Sequence, residues 1–246
     1  MSKIFITGST DGLGFLAAQQ LIKENHQVYV HARNSSRAEY VLNNLPDVAN
    51  VLVADLSDLN ETKQLASNLN DLGKFDTIIH NAGVLSASSK VIFTVNTLAP
   101  YVLTSLVEMP KRLIFLSSSM HKGGSPLLKL SDTNYVSYSD SKLHITTFMK
   151  TVARFFTDVY VNAIDPGWVP TKMGGASATD DLQKGYETQT WLASSQDKRA
   201  LVSGCYFYHK KQKTPKQDVN NIDFQKKLLD LCETLTDVRL PTKSDI

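Results

Sequence analysis

The sequence predicts a single doubly wound α/β domain over residues 1–246, a central parallel sheet of about seven strands with helices on both faces. Three observations lead there. Short apolar runs alternate with amphipathic stretches from residue 3 onward. Most of the apolar runs end in glycine or small polar residues, as strands do where a ligand approaches. The composition, 42% hydrophobic and 20% charged over 246 residues, suits one well-filled core.

Charge and cysteine content narrow the classes further. A formal charge of +2 gives no electrostatic case for nucleic acid, and Lys210, Lys211, Lys213 and Lys216 read as a solvated loop. Two cysteines, Cys205 and Cys232, imply no disulfide framework and point to a reducing, cytoplasmic setting. The first residues read as a strand running into glycines, neither a signal peptide nor a membrane span, and no apolar run approaches ~18 residues. The expectation is no membrane association and no metal.

Taken in order, the cofactor half covers about residues 1–110 and the catalytic and substrate half about 111–246. Residues 4–7 form a strand that ends at Gly8-Ser9-Thr10-Asp11-Gly12-Leu13-Gly14, and residues 15–23 a helix. Strand, glycine turn and helix make a phosphate cradle. Gly8 makes the turn, and Gly12 and Gly14 let backbone amides and the helix N-terminus approach a pyrophosphate. Strands at 27–31, 51–54 and 76–80 alternate with helices at 37–45 and 60–69. They end at His31–Arg33, Asp55-Leu56 and Asn81-Ala82-Gly83. An NAD site usually carries an acid at the end of the second strand. This strand continues Ala32-Arg33-Asn34 instead, and Arg33 could pair with a 2′-phosphate, assisted by Ser35 and Arg37. NADP(H) is therefore expected over NAD(H).

A long helical run, 91–107, carries Asn96, which could hold a water or orient a lysine. A strand at 112–116 ends in Ser117, Ser118 and Ser119, any of which could hydrogen-bond a substrate oxygen. A helical run at 143–156 is opened by Tyr138-x-x-x-Lys142. Four residues on a helix put the phenol and the ammonium on one face, and a cation there favours phenolate. Tyr138 is thus the expected proton donor and acceptor; Tyr135, followed four residues on by Ser139, is the weaker choice. A strand at 159–164 ends at Asp165-Pro166-Gly167-Trp168-Val169-Pro170-Thr171. Backbone groups there and Thr171 could meet the nicotinamide amide or the phosphates. Residues 172–181 read as a lid or an inert loop, 182–194 as a helix, 204–208 as a final strand and 222–235 as a closing helix. Leu127, Leu128, Trp168, Val169 and Met173 suggest a partly apolar substrate.

These motifs, Thr7-Gly8-x-x-x-Gly12-x-Gly14, Asp55-Leu56, Asn81-Ala82-Gly83, Asn96, Ser118, Tyr138-x-x-x-Lys142 and Pro166-Gly167, occur in the order that resembles short-chain dehydrogenases/reductases, from residue 3 to about 172. Ser117-Ser118-x-x-His121, Tyr138-x-x-Ser141-Lys142-Leu143 and Ser203-Gly204-x-Tyr206-Phe207 look like the branch of retinol dehydrogenases and WW-domain oxidoreductases. The sequence departs from many retinol dehydrogenases in showing no membrane anchor.

The resemblance implies a Rossmann-like fold and an Asn96, Ser118, Tyr138 and Lys142 tetrad. The implied activity is an NADP(H)-dependent carbonyl reductase or alcohol dehydrogenase, an oxidoreductase transferring hydride between NADP(H) and a carbonyl or alcohol. Tyr138 exchanges the proton, Ser118 holds the oxygen, Lys142 lowers the Tyr138 pKa and binds the nicotinamide ribose, and Asn96 supports a water relay. Helices holding Asn96 and Tyr138–Lys142 often form four-helix contacts in the family. A homodimer or homotetramer is therefore expected, and the tail after Thr214, with its closing helix, could cover or replace another common interface. The alternatives are a non-catalytic NADP(H) sensor, which could lose Tyr or Lys, and a nucleotide-sugar epimerase, which would need a larger C-terminal domain.

Overall fold

The computed structural model describes residues 1–126 and 135–242. Its elements run β1 (Lys3–Ile6), α1 (Gly12–Lys23), β2 (Gln27–Ala32), α2 (Ser35–Asn44), β3 (Asn50–Val53), α3 (Leu59–Asp71) and β4 (Thr77–His80). There follow α4 (Ser89–Phe93), a π turn (Thr94–Leu98), α5 (Ala99–Leu106), β5 (Arg112–Leu116), a 3-10 turn (Ser119–Gly123), α6 (Tyr138–Phe155) and β6 (Tyr160–Asp165). The chain closes with α7 (Leu182–Ser194), β7 (Cys205–Tyr208), β8 (Lys211–Lys213), a 3-10 turn (Gln217–Asn220) and α8 (Ile222–Thr236).

The strands form one sheet in the order β3-β2-β1-β4-β5-β6-β7-β8. All neighbours are parallel except β7 and β8. Both faces are buried, so side chains alternate between two cores. Phe5, Tyr29, Phe115, Val161 and Tyr206 join the core under α3, α5, α6 and α8. Ile4, Ile6, Val28, Val30, Ile114, Ile164 and Phe207 join the core under α1 and α7. The order reverses between β1 and β4, and a crevice opens at their carboxyl ends, where ligands of such sheets bind.

The expected sheet of about seven strands gains an eighth at its edge. β8 belongs to the lysine-rich stretch, and its exposed Lys211 and Lys213 discourage further strand pairing. The expected helix over 91–107 contains a π turn, with Ala99 N–H bonded to Thr94 O. Pro100 explains its position: it has no N–H to give the carbonyl of Asn96, four residues back. Buried Arg112 holds the C-terminal end of α7 to the sheet, Nη1 donating to Leu192 O at 2.7 Å and Nη2 to Ser195 O at 2.8 Å.

The tail lies on α6. Phe224 of α8 and Val219 of the preceding turn pack with Leu143, and the buried Tyr101 hydroxyl donates to Val238 O at 2.7 Å. The closing segment thus covers part of α6. Tyr101→Phe leaves that carbonyl without its donor. The expected cost is about 1–2 kcal/mol in urea denaturation; an unchanged midpoint would show that the tail is not anchored there.

Candidate active site

The crevice is held in shape by polar ties at the strand ends. Asn81 Nδ2 donates to Thr7 O at 3.0 Å and Gly8 O at 2.9 Å, joining β1 to β4 at the switch point. Ala82 N–H donates to Thr7 Oγ1 at 3.0 Å. Gly14 sits where a Cβ would lie 2.4 Å from Asn81 Nδ2, so only glycine lets α1 start this close. Gly8 adopts φ +62° and Gly12 φ +55°, conformations that favour glycine.

Buried His31 braces the same turn. Its Nδ1 accepts Gly8 N–H at 3.0 Å while Nε2 bonds Ala54 O at 2.8 Å. That pair of bonds requires the neutral ring with its proton on Nε2, and burial lowers the His31 pKa accordingly. Ser9 Oγ accepts His31 N–H at 3.0 Å and donates to Ile6 O at 2.8 Å. Gly8 N–H and Ser9 are therefore internal ties rather than free donors. The N–H groups of Gly12, Leu13 and Gly14 open α1 without a side-chain cap from Asp11, and a helix N-terminus of this kind can take an anion.

A cleft of about 540 Å³ runs from this turn across the strand ends. Gly8, Thr10, Asp11, Gly12, Leu13, Arg33, Asp55, Leu56, Asn81, Ala82, Gly83, Tyr138, Lys142, Pro166 and Thr171 line it, as the sequence reading expects. Ser9, Gly14, Asn34, Asn96, Ser118, Gly167 and Val169 are not among its lining residues. Each has another task. Asn34 caps α2, its Oδ1 accepting Arg37 N–H at 3.1 Å. Val169 is buried beside Gly185, where an added Cβ would lie 2.8 Å from Val169 Cγ1. Gly167, at φ +84°, turns the chain after Pro166.

Arg33 is exposed at the mouth, near Asp55. Burial pushes the Asp55 carboxyl up, but bonds from Ser57 and the charge of Arg33 bring it below its ordinary value. Arg37 Nη1 reaches Thr10 Oγ1 at 3.1 Å and Asp11 Oδ2 at 3.3 Å, and Lys172 Nζ reaches the same carboxylate at 3.2 Å. The segment after β6 is tied to the body through Lys172. It is braced within itself by Trp168 N–H on Asp180 Oδ2 and Trp168 Nε1 on Gly174 O, both at 2.8 Å.

The opposite end of the cleft holds the titratable pair. A capping box sets its place: Ser137 Oγ accepts Asp140 N–H at 3.1 Å, and Asp140 Oδ2 accepts Ser137 N–H at 2.9 Å. The helix therefore begins at Tyr138, and Tyr138 and Lys142 share one face. Lys142 Nζ lies 5.4 Å from the Tyr138 ring centroid and donates to Leu116 O at 2.7 Å. Tyr135, the other tyrosine considered, is 80% exposed.

The three serines separate by their partners. Ser117 Oγ is spent on Thr146 Oγ1 at 2.6 Å, and Ser119 is exposed at the start of the 3-10 turn. Ser118 Oγ accepts Met120 N–H at 3.2 Å, and Ser118 partly offsets the rise of the Tyr138 pKa.

Two electrostatic findings depart from the expectation. Burial, reinforced by the Asp165 charge and only partly offset by Ser118, pushes Tyr138 up to about 12. Burial brings Lys142 down to about 8, with Asp165 opposing. The cation does not produce a low-pKa phenol: it sits over the ring, bonded to Leu116 O, and desolvation of phenolate outweighs it.

Asn96 also differs from its expected role. Its Oδ1 accepts Val84 N–H at 2.8 Å, and its Nδ2 donates to Val84 O at 2.9 Å and Ser141 Oγ at 3.0 Å. The amide braces the loop after β4 against α6. Only Gly83 separates it from the lysine: a Cβ there would lie 3.4 Å from Lys142 Nζ and 3.5 Å from Asn96 Oδ1.

The apolar wall of the cleft is not quite the expected one. Leu127 and Leu128 lie outside the described residues. Val169 points into the core, whereas Met173 lines the cleft with Val84, Leu85, Val91 and Val95, which sequence reasoning missed. Among the described residues, no group of three or more His, Cys, Asp or Glu could hold a metal, and no helix is long and apolar enough to cross a membrane.

The chain resembles known proteins. The family model described as short chain dehydrogenase matches residues 2–182. The short-chain dehydrogenase chyC of Penicillium rubens is 41% identical, over 98% of this chain and 100% of its own. Human retinol dehydrogenase 13 is 25% identical, over 92% of this chain and 81% of its own. A crystal structure of an uncharacterised protein from Mycobacterium paratuberculosis superposes with a TM-score of 0.81 at 22% identity, covering 98% of this chain and 95% of that one. The glycine turn at the β1–β4 crevice, the Tyr138–Lys142 pair across it and these likenesses together place the chain in the short-chain dehydrogenase/reductase family.

Proposed function

We propose that this chain is an NADP(H)-dependent oxidoreductase that interconverts a carbonyl and an alcohol, with Tyr138 as the proton donor and acceptor. The observation that carries the reading is the meeting of Tyr138 and Lys142 on one helix face at the far end of the cleft that starts at the Gly8–Gly14 turn. The residues fit a dinucleotide. The N–H groups opening α1 suit a pyrophosphate, and the glycine-lined floor leaves room for it. Asp55, Leu56 and Asn81 to Gly83 flank the path between the two ends.

Bound NADPH would supply the hydride. The protein supplies the rest. Ser118 holds the substrate oxygen beside the Tyr138 hydroxyl. Tyr138, raised to about 12, is protonated at neutral pH and suited to give its proton to an oxygen that gains charge. Lys142 holds the nicotinamide ribose and, across Gly83, stands within reach of a water relay braced by Asn96. Val84, Leu85, Val91, Val95 and Met173 make the substrate end partly apolar.

No observation favours the two rivals. A sensor could lose Tyr or Lys, but both are present and meet on one face.

NADPH oxidation at 340 nm against aldehydes, ketones and quinones tests the reading. Tyr138→Phe should lower turnover about 10²–10⁴-fold while NADPH binding, read by fluorescence, persists. Undiminished turnover in that variant would overturn the role of Tyr138. The NADP(H) preference rests on Arg33, exposed at the mouth where an NAD site would place an acid. Arg33→Ala should weaken NADPH about tenfold or more, a lost charge-assisted phosphate bond, and leave NADH unchanged. Equal losses for both cofactors would make Arg33 a bystander.

A further inference from the structure

Ser118 caps the 3-10 turn that follows β5, and one histidine ties that turn to the far end of the chain. His121 is fully buried, and the chemistry above gives it no task. Its Nδ1 bonds Ser118 O at 2.7 Å, and its Nε2 accepts Lys216 N–H at 3.0 Å. A backbone N–H only donates and a carbonyl only accepts, so the ring is neutral with its proton on Nδ1. Burial, which lowers the His121 pKa, favours the same state. The Tyr206 ring of β7 packs against the imidazole, with centroids 4.8 Å apart.

Both ends of this strut are themselves held. Ser118 O also accepts the His121 backbone N–H at 3.1 Å, and Ser118 Oγ accepts Met120 N–H. Lys216 leads into the last 3-10 turn, and its Nζ donates to Gly124 O. Val219 of that turn is buried with Leu143 of α6 and Phe224 of α8. Gly124 lies on the start of α6, where an added Cβ would fall 2.5 Å from Ser139 O and 2.8 Å from Leu143 Cβ. Ser125 N–H donates to Asp140 Oδ1 at 2.7 Å, on the carboxylate that closes the capping box before Tyr138.

The turn after β5 is thus fastened on one side to the helix that carries Tyr138 and on the other to the segment before α8. Of these ties, the imidazole is the one that joins Ser118 itself to that remote segment. Resting on the reductase reading above, we propose that His121 is a positioning residue of this active site. It holds the Ser118 backbone against the Lys216 segment, so that the Ser118 hydroxyl stands where the substrate oxygen is received. By this route the segment before α8 belongs to the site, although neither His121 nor Lys216 lines the cleft.

The sign of the effect follows from what an apolar side chain at this place would leave behind. The Ser118 carbonyl would keep only its bond from the His121 backbone N–H, and the Lys216 N–H would lose its acceptor. The turn then relaxes to satisfy them. A shift of about 1 Å at a group that meets the reacting atoms costs up to about 10²-fold in rate.

Two pairs of variants read this in carbonyl reduction by NADPH. His121→Leu makes neither side-chain bond. It should lower kcat by about tenfold to 100-fold and leave the NADPH Kd unchanged. His121→Gln carries a donor and an acceptor on one amide and should recover most of the loss. The second pair keeps the histidine. Lys216 has φ −54° and ψ 139°, which proline adopts, so Lys216→Pro removes the N–H and the ammonium without bending the chain. Lys216→Met removes the ammonium and keeps the N–H. The fall in kcat should be about tenfold greater in Lys216→Pro than in Lys216→Met.

Thermal melts identify the variants that fold, and if His121→Leu does not, the Lys216 pair decides alone. Wild-type kcat in folded His121→Leu would overturn the proposal, as would equal kcat in the two Lys216 variants. A loss of NADPH affinity matching the loss of kcat would also overturn it, since that marks a loosened fold. 15N NMR of the imidazole reads the strut without turnover: a proton on Nδ1 is expected, and a proton on Nε2 would contradict it. A wild type that reduces no carbonyl compound would reject the reductase reading, and the positioning role with it. An active wild type whose folded variants are unimpaired would reject the positioning role alone.

Discussion

An ammonium group leaves water only where the protein receives it. Lys142 is buried on α6, and two features take it in: the carbonyl of Leu116 at 2.7 Å and the face of Tyr138. That reception fixes how α6 meets β5. It places Tyr138, the first residue of the helix, over the serines that leave the strand, and it makes Gly83 the spacer between the lysine and Asn96. A helix displaced by one turn would strand the charge, so the constraint is steric and electrostatic at once.

The other end of the cleft is governed by backbone packing rather than charge. Gly14 comes so close to Asn81 that no side chain fits, and the Asn81 amide spans the two strands between which the sheet order reverses. His31 braces the glycine turn only as the neutral tautomer. The two ends share the loop after β4: Asn81 to Gly83 run from the glycine turn to the lysine, and Asn96 holds Val84 just beyond. Brace and charge are therefore parts of one assembly.

Much of this was legible in the sequence because it is local. Strands show as apolar runs, the turn as glycines at fixed intervals, and Tyr138 and Lys142 share a face because helical spacing says so. What escaped depends on contacts distant in sequence. Arg112 looks like the start of a strand until α7 brings the Leu192 and Ser195 carbonyls to it. β8 is too polar to announce itself and exists because β7 gives it a partner. That the Ser117 hydroxyl is engaged could not be read locally, because its partner Thr146 lies 29 residues on. The direction of the Tyr138 shift was misjudged for the same reason: spacing shows the cation but neither the burial nor the carboxylate of Asp165. Pro100 was visible, and its missing N–H was a sufficient signal for the π turn around Asn96.

The most direct test of the central claim follows the hydride itself. NADPH carrying deuterium at the transferable C4 position, incubated with the protein and a reducible carbonyl compound, should yield an alcohol with deuterium on the carbinol carbon in one configuration. The hydroxyl proton should come from solvent through Tyr138. Deuterium left in the cofactor after product has formed, or scattered over both faces of the product, would contradict a site in which Tyr138 and Ser118 orient the carbonyl for direct transfer.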